Sequence, residues 1–219
     1  LIRRQRQMCI RDRVGMVACA IDDNVQNHQL MLLHGAQGKG KSTFIRHLLP
    51  PELKDYYRNG MIIPENNNHL LQLSSCLLIN LDEFDTLSPE RMQNLKSLIT
   101  QDVVNERKVY DIQNYTYIRR ASFIASTNNP HCMPDVKENR RILFSTLLNI
   151  DYHTPVNHEG IYAQAYALYR QGFQYWYENE EITFLNNRNE AFRQKDPIEE
   201  NLFFYFRAAR QNDIQAQWY

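Results

Sequence analysis

Residues Gly35-Ala36-Gln37-Gly38-Lys39-Gly40-Lys41-Ser42 match the pattern G-x-x-x-x-G-K-[ST] in full. Those residue types at that spacing specify a chemistry. Glycines let the backbone curl until successive N–H groups point at one anion, and a helix that begins there adds its positive dipole end. Lys41 then reaches the β- and γ-phosphates as a point charge, and the Ser42 hydroxyl sits on Mg²⁺. Gly35, Gly38, Lys39, Gly40, Lys41, Ser42 and Thr43 are the candidate residues for binding ATP.

Three further groups could complete a phosphoryl-transfer site. Cys76-Leu77-Leu78-Ile79-Asn80-Leu81 is an almost wholly apolar run that ends in Asp82-Glu83, as a Walker B segment does. Asp82 would hold the Mg²⁺ shell, and Glu83 would orient and deprotonate the attacking water. Asp85 is assigned to solvent. Ala121 to Thr127 is another apolar run, and it ends at Asn128, whose amide could hold the lytic water or the γ-phosphate. Arg140 and Arg141 stand just before Ile142-Leu143-Phe144; an arginine there can project to a neighbouring subunit's γ-phosphate. As neighbours on an extended run the two would face opposite ways, with Arg141 favoured.

The elements that must position these groups follow from the pattern. Leu30-Met31-Leu32-Leu33 reads as a strand covered on both faces in a parallel sheet, and Thr43 to Leu49 as the helix after the loop, stopped by Pro50-Pro51. Ligands bind at the carboxyl ends of such strands, which is where Asp82 and Asn128 fall. A short strand is expected at Met61-Ile62-Ile63. Ser88-Pro89 caps a helix to Thr100 whose stripe is Met92, Leu95, Leu98 and Ile99, with Lys96 off the stripe. Arg107 to Arg120 reads as a hairpin of Val109-Tyr110 and Tyr115–Ile118 with Asp111 to Asn114 at its tip. Its base would carry Arg107, Lys108, Arg119 and Arg120. From Asp151 the pattern is helical and rich in aromatics, with helices around Ile161–Tyr169, Ile182–Phe192 and Ile198–Ala209.

Composition bounds the rest. The 219 residues suffice for one α/β domain and a helical appendage, and 43% hydrophobic with 23% charged residues is ordinary for a globular chain. No apolar run is long enough to span a membrane, and four dispersed cysteines argue for a reducing, cytoplasmic setting. Leu1–Arg13 resembles a peptide made when sequencing-adapter DNA is translated, so it is set aside as a non-native or disordered scar. It holds five arginines and one aspartate, which leaves 20 basic against 24 acidic residues from Val14 on. That balance points away from a broadly basic nucleic-acid binder.

Together the Gly35–Ser42 loop, Leu81-Asp82-Glu83-Phe84, Leu95-Lys96-Ser97, the Arg119–Asn128 block and Asn139-Arg140-Arg141 resemble the virulence-associated E family of P-loop proteins. That family is similar to the superfamily 3 helicases and primase-helicases of viruses, phages and mobile elements. The resemblance implies an α/β P-loop NTPase of the AAA+-like, ASCE kind, with a mostly parallel sheet and a β-hairpin before sensor 1. It also implies an ATPase domain over 14–150 and a C-terminal helical region over 151–219. On the matching positions Lys41 and Ser42 are the Walker A pair, Asp82 and Glu83 Walker B, Asn128 sensor 1, and Arg140 or Arg141 the trans-acting finger. The expected partners are further copies in a hexameric ring, DNA held weakly and single-stranded, and a separate primase. Two positions depart from the pattern: the hairpin tip is not basic, and Glu138 stands where a glycine often precedes Asn-Arg-Arg. An ATP-dependent oligomeric scaffold or switch is the alternative, favoured by the hairpin tip and by the zero-to-negative charge.

Overall fold

In the computed structural model, residues 2–63, 66–82, 84–107, 113–133, 139–151, 153–194, 198 and 205 are described. Five short strands form one parallel sheet: β1 (Leu30–His34), the polar edge strand β2 (Tyr57–Asn59), β3 (Leu78–Leu81), β6 (Ser122–Thr127) and β7 (Ile142–Thr146). Their spatial order is β2-β3-β6-β1-β7. Leu30 pairs with both Phe123 and Ile142, so β6 and β7 flank β1 in the same register. Strands buried on both faces need apolar residues at every position, and the alternation decides which layer each one joins. Leu30, Leu32, Ile79, Leu81, Phe123, Ala125, Ile142 and Phe144 face the layer formed by α3 (Asn67–Ser75) and α4 (Pro89–Thr100). Met31, Leu33, Leu78 and Ile124 face the other, with Met16 of α1 (Ile2–Ile21) and Ile45 of α2 (Lys41–Arg46).

Several expectations shift in detail. The second strand is Tyr57–Asn59, ahead of the anticipated Met61–Ile63, which is irregular. Helix α3 has no counterpart in the sequence reading; its cap is Asn66, whose side chain accepts from the Asn68 and His69 amides. In α4, Ser88 caps as expected and accepts from the Arg91 amide at 3.3 Å. The stripe is buried, but Lys96 is buried with it. The helix anticipated from Val14 begins at Ile2, and Arg11 and Arg13 lie within it, bonded to Glu181 and to the Leu48 carbonyl.

The hairpin is offset from the reading. Its strands are β4 (Val103–Glu106) and β5 (Tyr115–Ile118), with Val103 opposite Ile118 and Glu106 opposite Tyr115. Residues 108–112 lie outside the described residues. This register puts Arg107 on the tip side of the hairpin and Arg119 at its base, so the anticipated cationic cluster is dispersed. Arg119 is fully buried, where its guanidinium donates to the carbonyls of Ala121 and Asn27, both at 2.8 Å. Arg120 pairs with Asp23. Burying a guanidinium is tolerable only where carbonyls take its donors, as they do here at both terminal nitrogens while Nε stays unpaired, and that placement has overridden the expected solvated rim.

Of the C-terminal helices, α5 (His158–Arg170) packs Ala165, Leu168 and Tyr169 on Val14 and Val17 of α1. Helix α6 (Asn179–Glu190) covers the edge strand β7 by setting Leu185 on Leu143, and Phe192 just beyond it stacks on Phe144. The third anticipated helix falls mostly outside the described residues. No helix among the described residues is long and apolar enough to cross a membrane.

Candidate nucleotide site

The carboxyl ends of β1, β3 and β6 meet around a cavity of about 640 Å³. Its floor is the loop after β1. Gly38 and Gly40 have φ of 76° and 78°, the left-handed conformation in which a side chain is strained, so their type is set by the backbone path. The path delivers Gly38, Lys39, Gly40, Lys41, Ser42 and Thr43 to the cavity wall. Gly35 is one step back, where its carbonyl accepts from Lys41.

Lys41 is buried beneath this loop. Its ammonium donates to the carbonyls of Gly35 at 2.6 Å and Ala36 at 3.0 Å, and to Asn128 Oδ1 at 2.6 Å. Burial holds its pKa below the ordinary lysine value, and the Asp85 carboxylate opposes that shift. The Lys41–Asn128 bond joins two elements that are 87 residues apart in the chain. It places the anticipated sensor amide beside the anticipated phosphate-binding ammonium.

Asp82 lines the same cavity. Its Oδ2 accepts from Asn59 Nδ2 at 3.2 Å, and Asn59 in turn accepts from the buried Asn80 at 2.6 Å. One carboxylate and the Ser42 hydroxyl, both hard oxygen donors on one cavity, suit Mg²⁺, which is held by few protein oxygens together with substrate phosphates. No cluster of three or more His, Cys, Asp or Glu among the described residues could hold a metal without such help. Glu83 lies outside the described residues.

Asp85 is exposed to solvent, as expected, but it also has partners in the fold. Phe84, fully buried, anchors a 3-10 turn that follows β3 and returns Asp85 to the cavity. There its carboxylate accepts from the Thr127 hydroxyl and from the Asn128 amide at 3.2 Å.

Arg140 and Arg141 do not line the cavity. They occupy a 3-10 turn, Asn139–Arg141, in place of the expected extended run, so they diverge by about a third of a turn instead of facing opposite ways. Arg140 is exposed and Arg141 half-buried. Because Ile142 pairs with Leu30, the arginines stand at the amino edge of the sheet, while the loop leaves its carboxyl edge after His34. About 16 Å of strand separates them along the sheet.

The family model of the virulence-associated protein E-like domain matches residues 3–194. The chain belongs to this family. No curated protein matches this VapE-like chain. Among solved structures it is similar to the apo structure of the NrS-1 C terminal region (305–718), with a TM-score of 0.49 and 15% identity over 87% of this chain. The A form apo structure of that region gives a TM-score of 0.48 and 14% identity, also over 87%. The VapE-like chain spans about half of the length of these proteins, 48% and 47% respectively.

Proposed function

We propose that the chain is an ATP-hydrolysing motor of the superfamily 3 helicase type, acting in DNA replication of a mobile genetic element or phage. The observation that carries this reading is the 2.6 Å bond from Lys41 Nζ to Asn128 Oδ1 over a cavity that Ser42 and Asp82 share. A glycine turn that merely shaped the fold would need no amide from a distant strand at its lysine. In the proposed mechanism the loop amides and Lys41 bind the triphosphate and set its β–γ bond across the cavity toward β3 and β6. Ser42 and Asp82 would hold Mg²⁺, which neutralises charge on the β/γ oxygens when bound. Glu83 takes the proton of the attacking water, and Asn128 orients that water or the γ-phosphate. An arginine at the opposite sheet edge cannot serve its own loop, which supports a finger supplied by the next copy in a ring.

A second reading, an ATP-dependent scaffold or switch, draws on the hairpin. With Arg119 buried and Arg120 paired to Asp23, Arg107 is the exposed cation of the expected cluster among the described residues. Steady-state ATPase rates with and without single-stranded DNA, at several salt concentrations, separate the two. Mg²⁺-dependent turnover that DNA raises at low salt supports the motor. Turnover indifferent to DNA supports the switch, and no turnover at all contradicts both hydrolytic roles.

A further inference from the structure

We infer that Asp85 is the positioning residue that sets the sensor end of β6, holding Asn128 at the height at which its amide meets Lys41. The inference rests on the ATPase reading and adds to it a residue outside the phosphate loop, the acid pair and the sensor. Three facts support it. Both carboxylate oxygens are committed, Oδ1 to the Thr127 hydroxyl and Oδ2 to the Asn128 amide at 3.2 Å. The receiving end is tight: Thr127 is 2% exposed, and its hydroxyl is also bonded to the Asn129 amide at 3.0 Å. The supporting end is tight too, because Phe84, adjacent to Asp85 in the same turn, is fully buried in the core.

The consequence is a bracket. Asp82, directly after β3, lines the cavity with Ser42, and the 3-10 turn Phe84–Thr86 carries Asp85 to the end of β6. The stretch that follows β3 thus supplies both the acid on the Ser42 side and the support for the residue that meets Lys41. With each oxygen accepting from a donor at the end of β6, Asp85 is held toward Thr127 and Asn128. Its charge is satisfied locally, and its contribution is geometric.

The test compares the parent chain with Asp85→Ala, Asp85→Asn and Thr127→Val in single-turnover and steady-state ATP hydrolysis, with Mg²⁺ titrated in each. Removing a support of this kind costs about 10–100-fold in activity, and the loss should fall on kcat with KM changed by less than about threefold. Asn retains an oxygen for the Asn128 amide and an NH₂ for the Thr127 hydroxyl, so Asp85→Asn should recover most of the rate. Thr127→Val, nearly isosteric in its buried seat, should lose activity in the same direction, and the Ala/Val double variant should lose less than the product of the single losses. Unchanged kcat in Asp85→Ala overturns the inference while leaving the ATPase reading intact. Failure of Asn to rescue, together with a tenfold or larger shift in Mg²⁺ dependence, overturns it in favour of a metal ligand. Should Asp85→Ala fail to fold by circular dichroism, Thr127→Val and Asp85→Asn decide on the same criteria. A parent with neither nucleotide affinity nor turnover overturns the ATPase reading, and this inference with it.

Discussion

Replacing Lys41 by methionine isolates the ammonium, because methionine keeps most of the buried stem and loses only the charge and its donors. In the structure that ammonium makes three hydrogen bonds, to Gly35 O, Ala36 O and Asn128 Oδ1. A charge-assisted bond is worth about 1.5–3 kcal/mol, and an ammonium on a triphosphate makes at least two with favourable charge. Part of that gain offsets the bonds the lysine gives up, so a net loss of about 3 kcal/mol follows, or roughly a hundredfold in Kd. The effect on folding is small because two terms oppose. Three acceptors lose their donor, yet an ammonium whose pKa burial has already lowered is no longer kept from water. A melting temperature within about 4 °C of the parent corresponds to about 1 kcal/mol in a chain of this size. Titration of a fluorescent ATP analogue with Mg²⁺, beside a thermal melt, reads both quantities. Affinity within threefold of the parent at an unchanged melt would refute the reasoning and make the loop a structural turn.

Other perturbations separate structure from chemistry. Glu83→Gln should keep nucleotide bound and slow single-turnover hydrolysis by about two to four orders of magnitude, the usual worth of a positioned base; a rate near the parent's would move that role elsewhere. Arg119→Met leaves the Asn27 and Ala121 carbonyls without their donor and should cost about 2–4 kcal/mol, or roughly 5–15 °C in the melt, since buried acceptors stripped of a charged donor are expensive. An unchanged melt, with only a weaker salt dependence of DNA binding, would restore Arg119 to a nucleic-acid contact. Arg107→Ala should lower the magnitude of that salt slope by about one for each subunit engaged, and an unaltered slope would favour the switch.

The sheet and the glycine-rich loop after β1 were legible because they depend on local pattern. Leu30–Leu33 is an unbroken apolar run, Phe123-Ile124-Ala125 is a short apolar centre between serines, and the glycines at 38 and 40 announce a path that only glycine follows without strain. Asp82 and Asn128 were legible by position, as polar residues ending such runs. What stayed hidden was set by register and by non-local partners. As a strand, Val103–Glu106 has no counterpart in the sequence reading, and only its pairing with Tyr115–Ile118 reveals it; Val109-Tyr110 lies outside the described residues. Nothing next to Arg119 in sequence announces the Asn27 carbonyl, and nothing next to Asp85 announces Thr127. Both residues read as surface charges until the tertiary fold supplies their partners. The Arg140-Arg141 geometry was misread for a related reason, since a 3-10 turn precedes the strand and breaks the alternation.

The claim that the site is completed by a neighbouring copy is tested most directly by complementation. Lys41→Ala subunits keep the arginines and lose the phosphate ligand, whereas Arg140→Ala or Arg141→Ala subunits keep the loop and lose one finger candidate. Each variant alone should hydrolyse ATP about a thousandfold or more slowly than the parent if it lacks a required group. With Arg140 exposed and Arg141 half-buried, Arg140→Ala is expected to show the larger loss. Mixing the inactive arginine variant with Lys41→Ala forms some interfaces where an intact loop faces an intact arginine. The account predicts ATPase activity in the mixture that neither variant shows alone. Co-assembly confirmed by sedimentation, with no activity recovered, would contradict it.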